Sequence, residues 1–176
     1  MITVAVNTPA HSKLKEFFVD ELHDIYWAEQ KLVKTIEKMK DAATTIRLKE
    51  SFNDHLKETK QHVDRLKNVF ALINETADEK KCKGMAGIIN EGDDIIDDTE
   101  KGSAQRDVGL IFAAQKVEHY EIATYGGLAT LARTLGYIQV ADILEKTLPE
   151  EKQADEMLTY IAENGINYAA SQEPQD

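Results

Sequence analysis

Glutamates recur in this chain at helical positions where apolar side chains are expected. Phe18, Leu22, Ile25, Glu29, Leu32, Ile36 and Met39 follow one another in steps of three and four, and Glu29 alone breaks the apolar face. The same interruption returns in Ile111, Ala114, Glu118, Glu121, Tyr125 and Leu128, and again in Leu144, Leu148, Glu151, Asp155 and Leu158. A further stripe, Leu48, Phe52, His55, His62, Leu66, Val69 and Ile73, carries imidazoles and has Glu58 on its flank. Unopposed charges buried in this way each cost several kcal/mol, against a whole-domain stability of about 5–15 kcal/mol. A pair of divalent metal ions supplies the missing positive charge with the fewest added groups. Hard oxygen ligands with few nitrogens and no sulfur favour iron or manganese over a tetrahedral structural zinc. Tyr125, one turn past Glu121, is the candidate catalytic residue, placed to hydrogen-bond a ligand or an oxygen species at the site.

Such a site needs helices that present these faces to a common interior, and the composition supplies them. Nine glycines and three prolines in 176 residues leave room for long uninterrupted helices, which the 30% of charged residues keep wet on their outer faces. The net charge of -11 excludes a phosphate-binding surface, so no nucleic-acid partner is expected, and it suits the attraction of cations. The single cysteine, Cys82, rules out an intrachain disulfide and agrees with a reducing, cytoplasmic location. Residues 1–10 show neither a basic leader nor a long apolar run, so neither a signal peptide nor a membrane span is expected.

The pattern predicts a first helix from Ser12, an N-cap type, to about Ala43, and a second over about 47–74. A third long helix covers about 104–135, ended by Gly136, and a fourth covers 138 to about 164, ended by Gly165. Short connections make two antiparallel hairpins. The stretch 75–103, with Met85, Ile88, Ile89, Ile95 and Ile96 sketching a shorter helix, is long enough to travel the length of a bundle. That is the single crossover of an all-α, ferritin-like four-helix bundle with an additional crossover helix. Residues 1–11 and 166–176 are read as flexible tails around a bundle of 12–165. Glu29 precedes Glu58 by 29 residues and Glu121 precedes Glu151 by 30, so the two hairpins read as a diverged duplication. Any one of these acids alone also fits the edge of its stripe, reaching water.

The strings Ala28-Glu29-Gln30-Lys31-Leu32, His55-Leu56-Lys57-Glu58-Thr59, Glu118-His119-Tyr120-Glu121-Ile122-Ala123-Thr124-Tyr125-Gly126 and Leu148-Pro149-Glu150-Glu151-Lys152-Gln153-Ala154-Asp155 occur in this order, with Lys81-Cys82-Lys83-Gly84-Met85 at the start of the crossover. In these strings the chain resembles the YciE/YciF group of ferritin-like bacterial stress proteins over about residues 12–165. The resemblance implies a rubrerythrin-like bundle, a homodimer, a dinuclear metal site and a link to osmotic or oxidative stress, without an established reaction. Carried onto this sequence, it implies the ligands Glu29, His55, Glu58, Glu118, Glu121, Glu151 and Asp155. His62 lies outside the motif, as an extra ligand or a neighbour. The Glu-x-x-His triplet usual in such bundles is absent, since Gln61 follows Glu58 and Ala154 follows Glu151 at the third position. Pro149, which lacks an N–H and crowds the carbonyl of Glu145, predicts a kink beside the site.

The leading expectation is therefore a stress protein with a dinuclear iron or manganese centre that reacts with O2 or peroxide. Two alternatives remain at this point: iron storage or sequestration, and a metal-free structural or interaction bundle.

Overall fold

A computed structural model describes residues 12–174. Ser12 caps α1 (Lys13–Ala42), its hydroxyl accepting the Lys15 N–H at 3.1 Å. The chain turns within residues 43–45 into α2 (Ile46–Leu72), whose N-cap residue Thr45 makes no side-chain cap bond. The cap comes from elsewhere. Asp107, in the first turn of α4 (Ala104–Thr134), is buried and accepts the Thr44 and Thr45 N–H groups at 2.6 and 2.8 Å. One carboxylate thereby joins the first hairpin to the second.

The crossover contains α3 (Lys83–Asp98), which lies outside the ring of long helices against α4 and α1. Its approach depends on Gly109: a Cβ there would sit 2.5 Å from Ile95 Cγ2. Arg106 then closes the end of α3, donating to the Ile96 carbonyl at 2.8 Å and the Thr99 hydroxyl at 3.0 Å. Gly136, at φ 81°, reverses the chain between α4 and α5 (Ile138–Ile161), and the Tyr137 N–H returns to the Ala132 carbonyl at 2.8 Å.

Around the ring, α1 touches α2 and α4, and α5 touches the same two helices. Leu22, Ile25, Leu32, Leu48, Leu66, Leu110, Leu144 and Leu158 fill the layers above and below the charged level. Among the described residues there is no strand. This is the all-α, ferritin-like bundle with one long crossover expected from the stripes.

Two expectations need correction. The bundle does not end at residue 165: a wide helical turn over Ala162–Ile166, with Gly165 at φ 142°, leads into α6 (Asn167–Ser171). Ile166 is buried, and the Glu173 carboxylate accepts the Ala104 and Gln105 N–H groups, where a negative charge complements the N-terminus of α4. Phe70 is in the core, and Trp27 packs against that core. Helix α5 also passes through Pro149 unbroken, and the non-helical backbone falls later, at Asn164 and Gly165. The expected N-terminal tail, 1–11, lies outside the described residues, as do 175 and 176.

Candidate metal centre

Each ring helix turns charged or polar side chains into one layer of the core. Glu29 from α1, His55 and His62 from α2, Glu118 and Glu121 from α4 and Glu151 from α5 are all buried. They meet in two groups: His55, Glu118, Glu121 and Glu151 offer ligand atoms within 4.8 Å of one another, and so do Glu29, His62 and Glu151. Glu151 belongs to both. Its Oε2 lies 3.9 Å from His55 Nε2 and its Oε1 lies 3.0 Å from His62 Nδ1. His55 Nε2 is 3.3 Å from Glu118 Oε1, and His62 Nδ1 is 3.3 Å from Glu29 Oε1.

These approaches are close but poorly aligned as hydrogen bonds. Both nitrogens of His55, Nδ1 of His62, both oxygens of Glu151 and one oxygen each of Glu29, Glu118 and Glu121 are buried without a hydrogen-bond partner. Buried polar atoms are otherwise almost always satisfied, so this concentration of orphans calls for a cation that accepts lone pairs from the carboxylates and from one nitrogen of each imidazole. The donor chemistry fits. Four carboxylates balance two divalent ions, and two imidazoles complete the set that ferritin-like dimetal bundles use.

Electrostatics shows what the protein does without that charge. Burial, followed by repulsion from Glu151 and its neighbours, pushes the carboxyls of Glu118 and Glu121 well above their ordinary value, and burial raises Glu29. Burial disfavours the charged imidazoles, but the surrounding carboxylates outweigh it and raise His55 to about 9 and His62 to about 11. Without metal, these groups bind protons more tightly than free side chains do.

A supporting layer surrounds His62. Its Nε2 lies 2.8 Å from Glu150 Oε2, and Arg65 grips Glu150 with both guanidinium NH2 groups, the Nη2 to Oε1 contact being 2.8 Å. Burial opposes ionisation of Glu150, yet Arg65 and His62 prevail and hold its carboxyl below the ordinary value. Tying down Nε2 leaves Nδ1 facing the cluster, the carboxylate–histidine arrangement that orients metal-binding imidazoles. Neither Glu150 nor Arg65 was among the expected residues. Arg65 follows His62 by three positions, so the two share a helix face, and that was the available signal.

Of the expected site residues, Glu29, His55, Glu118, Glu121 and Glu151 come together. His62, which the motif left outside, faces the same layer. Glu58 does not join them: its side chain is 40% exposed, with an oxygen 3.5 Å from His55 Nδ1. Asp155 is elsewhere, on the outer side of α5 with Gln115 at 3.1 Å and His119 at 3.5 Å. The stripe placed it one turn past Glu151, where its carboxylate accepts from the Gln115 side-chain amide of α4 instead of reaching the cluster. Tyr125 is buried beside His62, and its hydroxyl donates to Glu29 rather than facing an open position. Burial and the carboxylates raise its pKa well above the ordinary value, so it keeps its proton.

A ring of four helices with one crossover and an inward layer of glutamate and histidine defines the chain as a ferritin-like helical protein whose interior could hold metal. It belongs to the family described as Domain of unknown function (DUF892), whose model matches residues 13–171. Protein YciF of Escherichia coli K12 is 42% identical over 158 residues, covering 89% of this chain and 95% of that protein. The crystal structure of the E. coli stress protein YciF superposes with a TM-score of 0.84, covering 89% of this chain and 99% of that one. YcfI from Rhodopseudomonas palustris, at 31% identity, gives a TM-score of 0.80 over 90% of this chain and 98% of that one. A protein of Xanthomonas campestris pv. campestris shares the fold, with 24% identity and a TM-score of 0.70 over 92% of this chain and 98% of that one.

Proposed function

We propose that this chain is a stress-response protein whose bundle holds two iron or manganese ions and reacts with O2 or peroxide. The observation that carries the reading is the layer of orphaned ligand atoms, four carboxylates and two imidazoles deep. Glu29, His55, His62, Glu118, Glu121 and Glu151 would hold the ions, and Glu151 belongs to both ligand groups. Iron or manganese held there would supply redox chemistry toward O2 or peroxide. The protein's own part is positioning and exclusion of water. Arg65 and Glu150 fix the His62 ring, and Tyr125 holds the Glu29 carboxylate through its hydroxyl. Leu32, Ile36, Met39 and Phe52 wall an apolar space of about 10 Å³ beside His55 and Glu118, too small to hold bulk water.

Metal analysis of protein purified without chelators, with anaerobic Mn(II) and Fe(II) titrations, tests this: two ions per chain are expected, and none would overturn it. Iron storage is the nearest alternative, and a hydrodynamic mass far above two chains would favour it. A metal-free structural bundle draws on the pairing of His55 and His62 with carboxylates, and predicts that chelators leave the melting temperature unchanged. Our reading also takes the protein as a cytoplasmic homodimer. Exposed apolar side chains, among them Phe112 and Tyr168, leave surface that a twofold partner would cover, and Cys82 is free and buried. Among the described residues no helix is long and apolar enough to cross a membrane. Light scattering that finds only monomer at micromolar concentration would refute the dimer.

A further inference from the structure

The inner cluster is sealed on nearly every side, but one of its members also faces outward. Between α2 and α5 lies a cleft of about 620 Å³ lined by Glu50, Asp54, Glu58, Gln61 and Gln153, with His55 at its inner wall. His55 is the one side chain common to this cleft and to the cluster. It is 8% exposed, and neither ring nitrogen has a hydrogen-bond partner. Its Nδ1 faces Glu58 at 3.5 Å on the cleft side, and its Nε2 faces Glu118 at 3.3 Å on the cluster side. Glu50, Asp54 and Glu58 follow at intervals of four along α2, so successive carboxylates line one face of the helix from the rim toward His55. Of the cations in the cleft, Lys57 is tied to Asp54 at 2.7 Å, and Arg47 lies over the Tyr160 ring, 4.4 Å from its centroid.

We propose that this cleft is the loading path for divalent cations, along which Glu58 hands an ion from water past His55 to Glu118 and Glu151. The inference rests on the metal-binding reading above and gives Glu58 a role it cannot fill as an inner ligand. The partly exposed carboxylate offers a hydrated ion an anionic oxygen in water. The next oxygens, inside, are reached by displacement of one side chain, the His55 ring.

A residue on a path differs from a ligand in its kinetics. It changes the barrier crossed in both directions, so association and release change by the same factor while Kd stays constant. A ligand mainly changes release. The test is stopped-flow loading of the metal-free full-length chain with Co(II), followed by release into excess chelator. For Glu58→Gln we expect both rates to fall by about fivefold at low ionic strength, with the effect shrinking in salt. Lys57→Glu, at an exposed position, should accelerate loading, because it adds negative charge to the cleft and frees Asp54. Asp64→Asn, at a more exposed acid of α2 outside the cleft, should load as the wild type does. Wild-type rates in both Glu58→Gln and Lys57→Glu would overturn the path while leaving the metal site standing. Weaker Kd at an unchanged association rate in Glu58→Gln would overturn it too, making Glu58 a supporting residue of His55. A wild type that binds no Co(II) would remove the metal reading and the path together.

Discussion

Glu118→Gln should have opposite effects on stability with and without metal. The Glu118 side chain is 2% exposed, and the like charges of Glu151 and Glu29 add to burial in raising its carboxyl well above the ordinary value of 4.5. The folded, metal-free protein therefore binds a proton at this carboxyl more tightly than the unfolded chain does. Supplying that proton at pH 7 costs at most about 3.4 kcal/mol, from the 2.5-unit gap at about 1.36 kcal/mol per unit. Glutamine has the shape of the protonated acid and needs no proton. Against this gain stands the lost attraction to His55, 3.3 Å away. The net expectation is a metal-free variant as stable as the wild type or more so by roughly 1 kcal/mol, a rise of about 2–4 °C in melting temperature for a chain of this size.

With metal the sign reverses. Free Mn(II) at one hundred times Kd stabilises the wild type by about 2.7 kcal/mol, and a variant binding a hundredfold more weakly keeps only about 0.4 kcal/mol of that. Melting curves of both proteins, in chelator and in excess Mn(II), read the four values directly. If the variant is destabilised by the same amount in both conditions, Glu118 is a structural partner of His55 and the reasoning fails.

The raised pKa values predict the pH profile of the metal-free protein. Glu29, Glu118, Glu121, His55 and His62 all bind protons more tightly folded than unfolded, so stability should fall as pH rises. The carboxyls begin this loss above their unfolded value of 4.5, and the His55 contribution, complete below 6.5, is lost as pH passes about 9. A melting temperature in chelator that stays flat or rises between about pH 5 and pH 9 would contradict it; with Mn(II) the metal's contribution should instead grow with pH, because its ligands must shed protons. Glu150→Gln should weaken Mn(II) binding by about 10–100-fold, through loss of the His62 support, with helix content unchanged; calorimetric titration and circular dichroism check it. Asp107→Ala removes two charge-assisted bonds to partly buried backbone and should cost about 2–4 kcal/mol equally with and without metal, read by urea denaturation.

Periodicity made the helices legible because each long stripe faces a single interior. The caps at Ser12 and Gly136 added their own local signals, and the long crossover left few ways to close the ring. The Asp107 cap was not readable, since it sits 62 residues from Thr45 and only folding brings them together. The C-terminal end was misread for a related reason. Its polar composition is that of a tail, yet Ile166 and Glu173 gain their partners from α4 and from the helical turn they complete.

The site divides along the same line. Glu29, Glu118, Glu121 and Glu151 stand inside their stripes, and a stripe reports its own facing. Glu58 and Asp155 were drawn in by motif and by spacing, and neither distinguishes the centre of a helix face from its edge. On α2 the buried polar positions are His55, Thr59 and His62, and Glu58 lies about a hundred degrees of helix rotation away from Thr59. That one-residue offset explains both departures. It turns Glu58 toward the cleft, and it allows one helix to supply both imidazoles in place of the paired Glu-x-x-His triplets. With both imidazoles on α2, the second helix pair contributes only carboxylates, and Glu150 and Arg65 are needed where α5 meets His62 to hold that ring in place. The first hairpin thus supplies both nitrogen ligands and one carboxylate, and the second supplies three carboxylates.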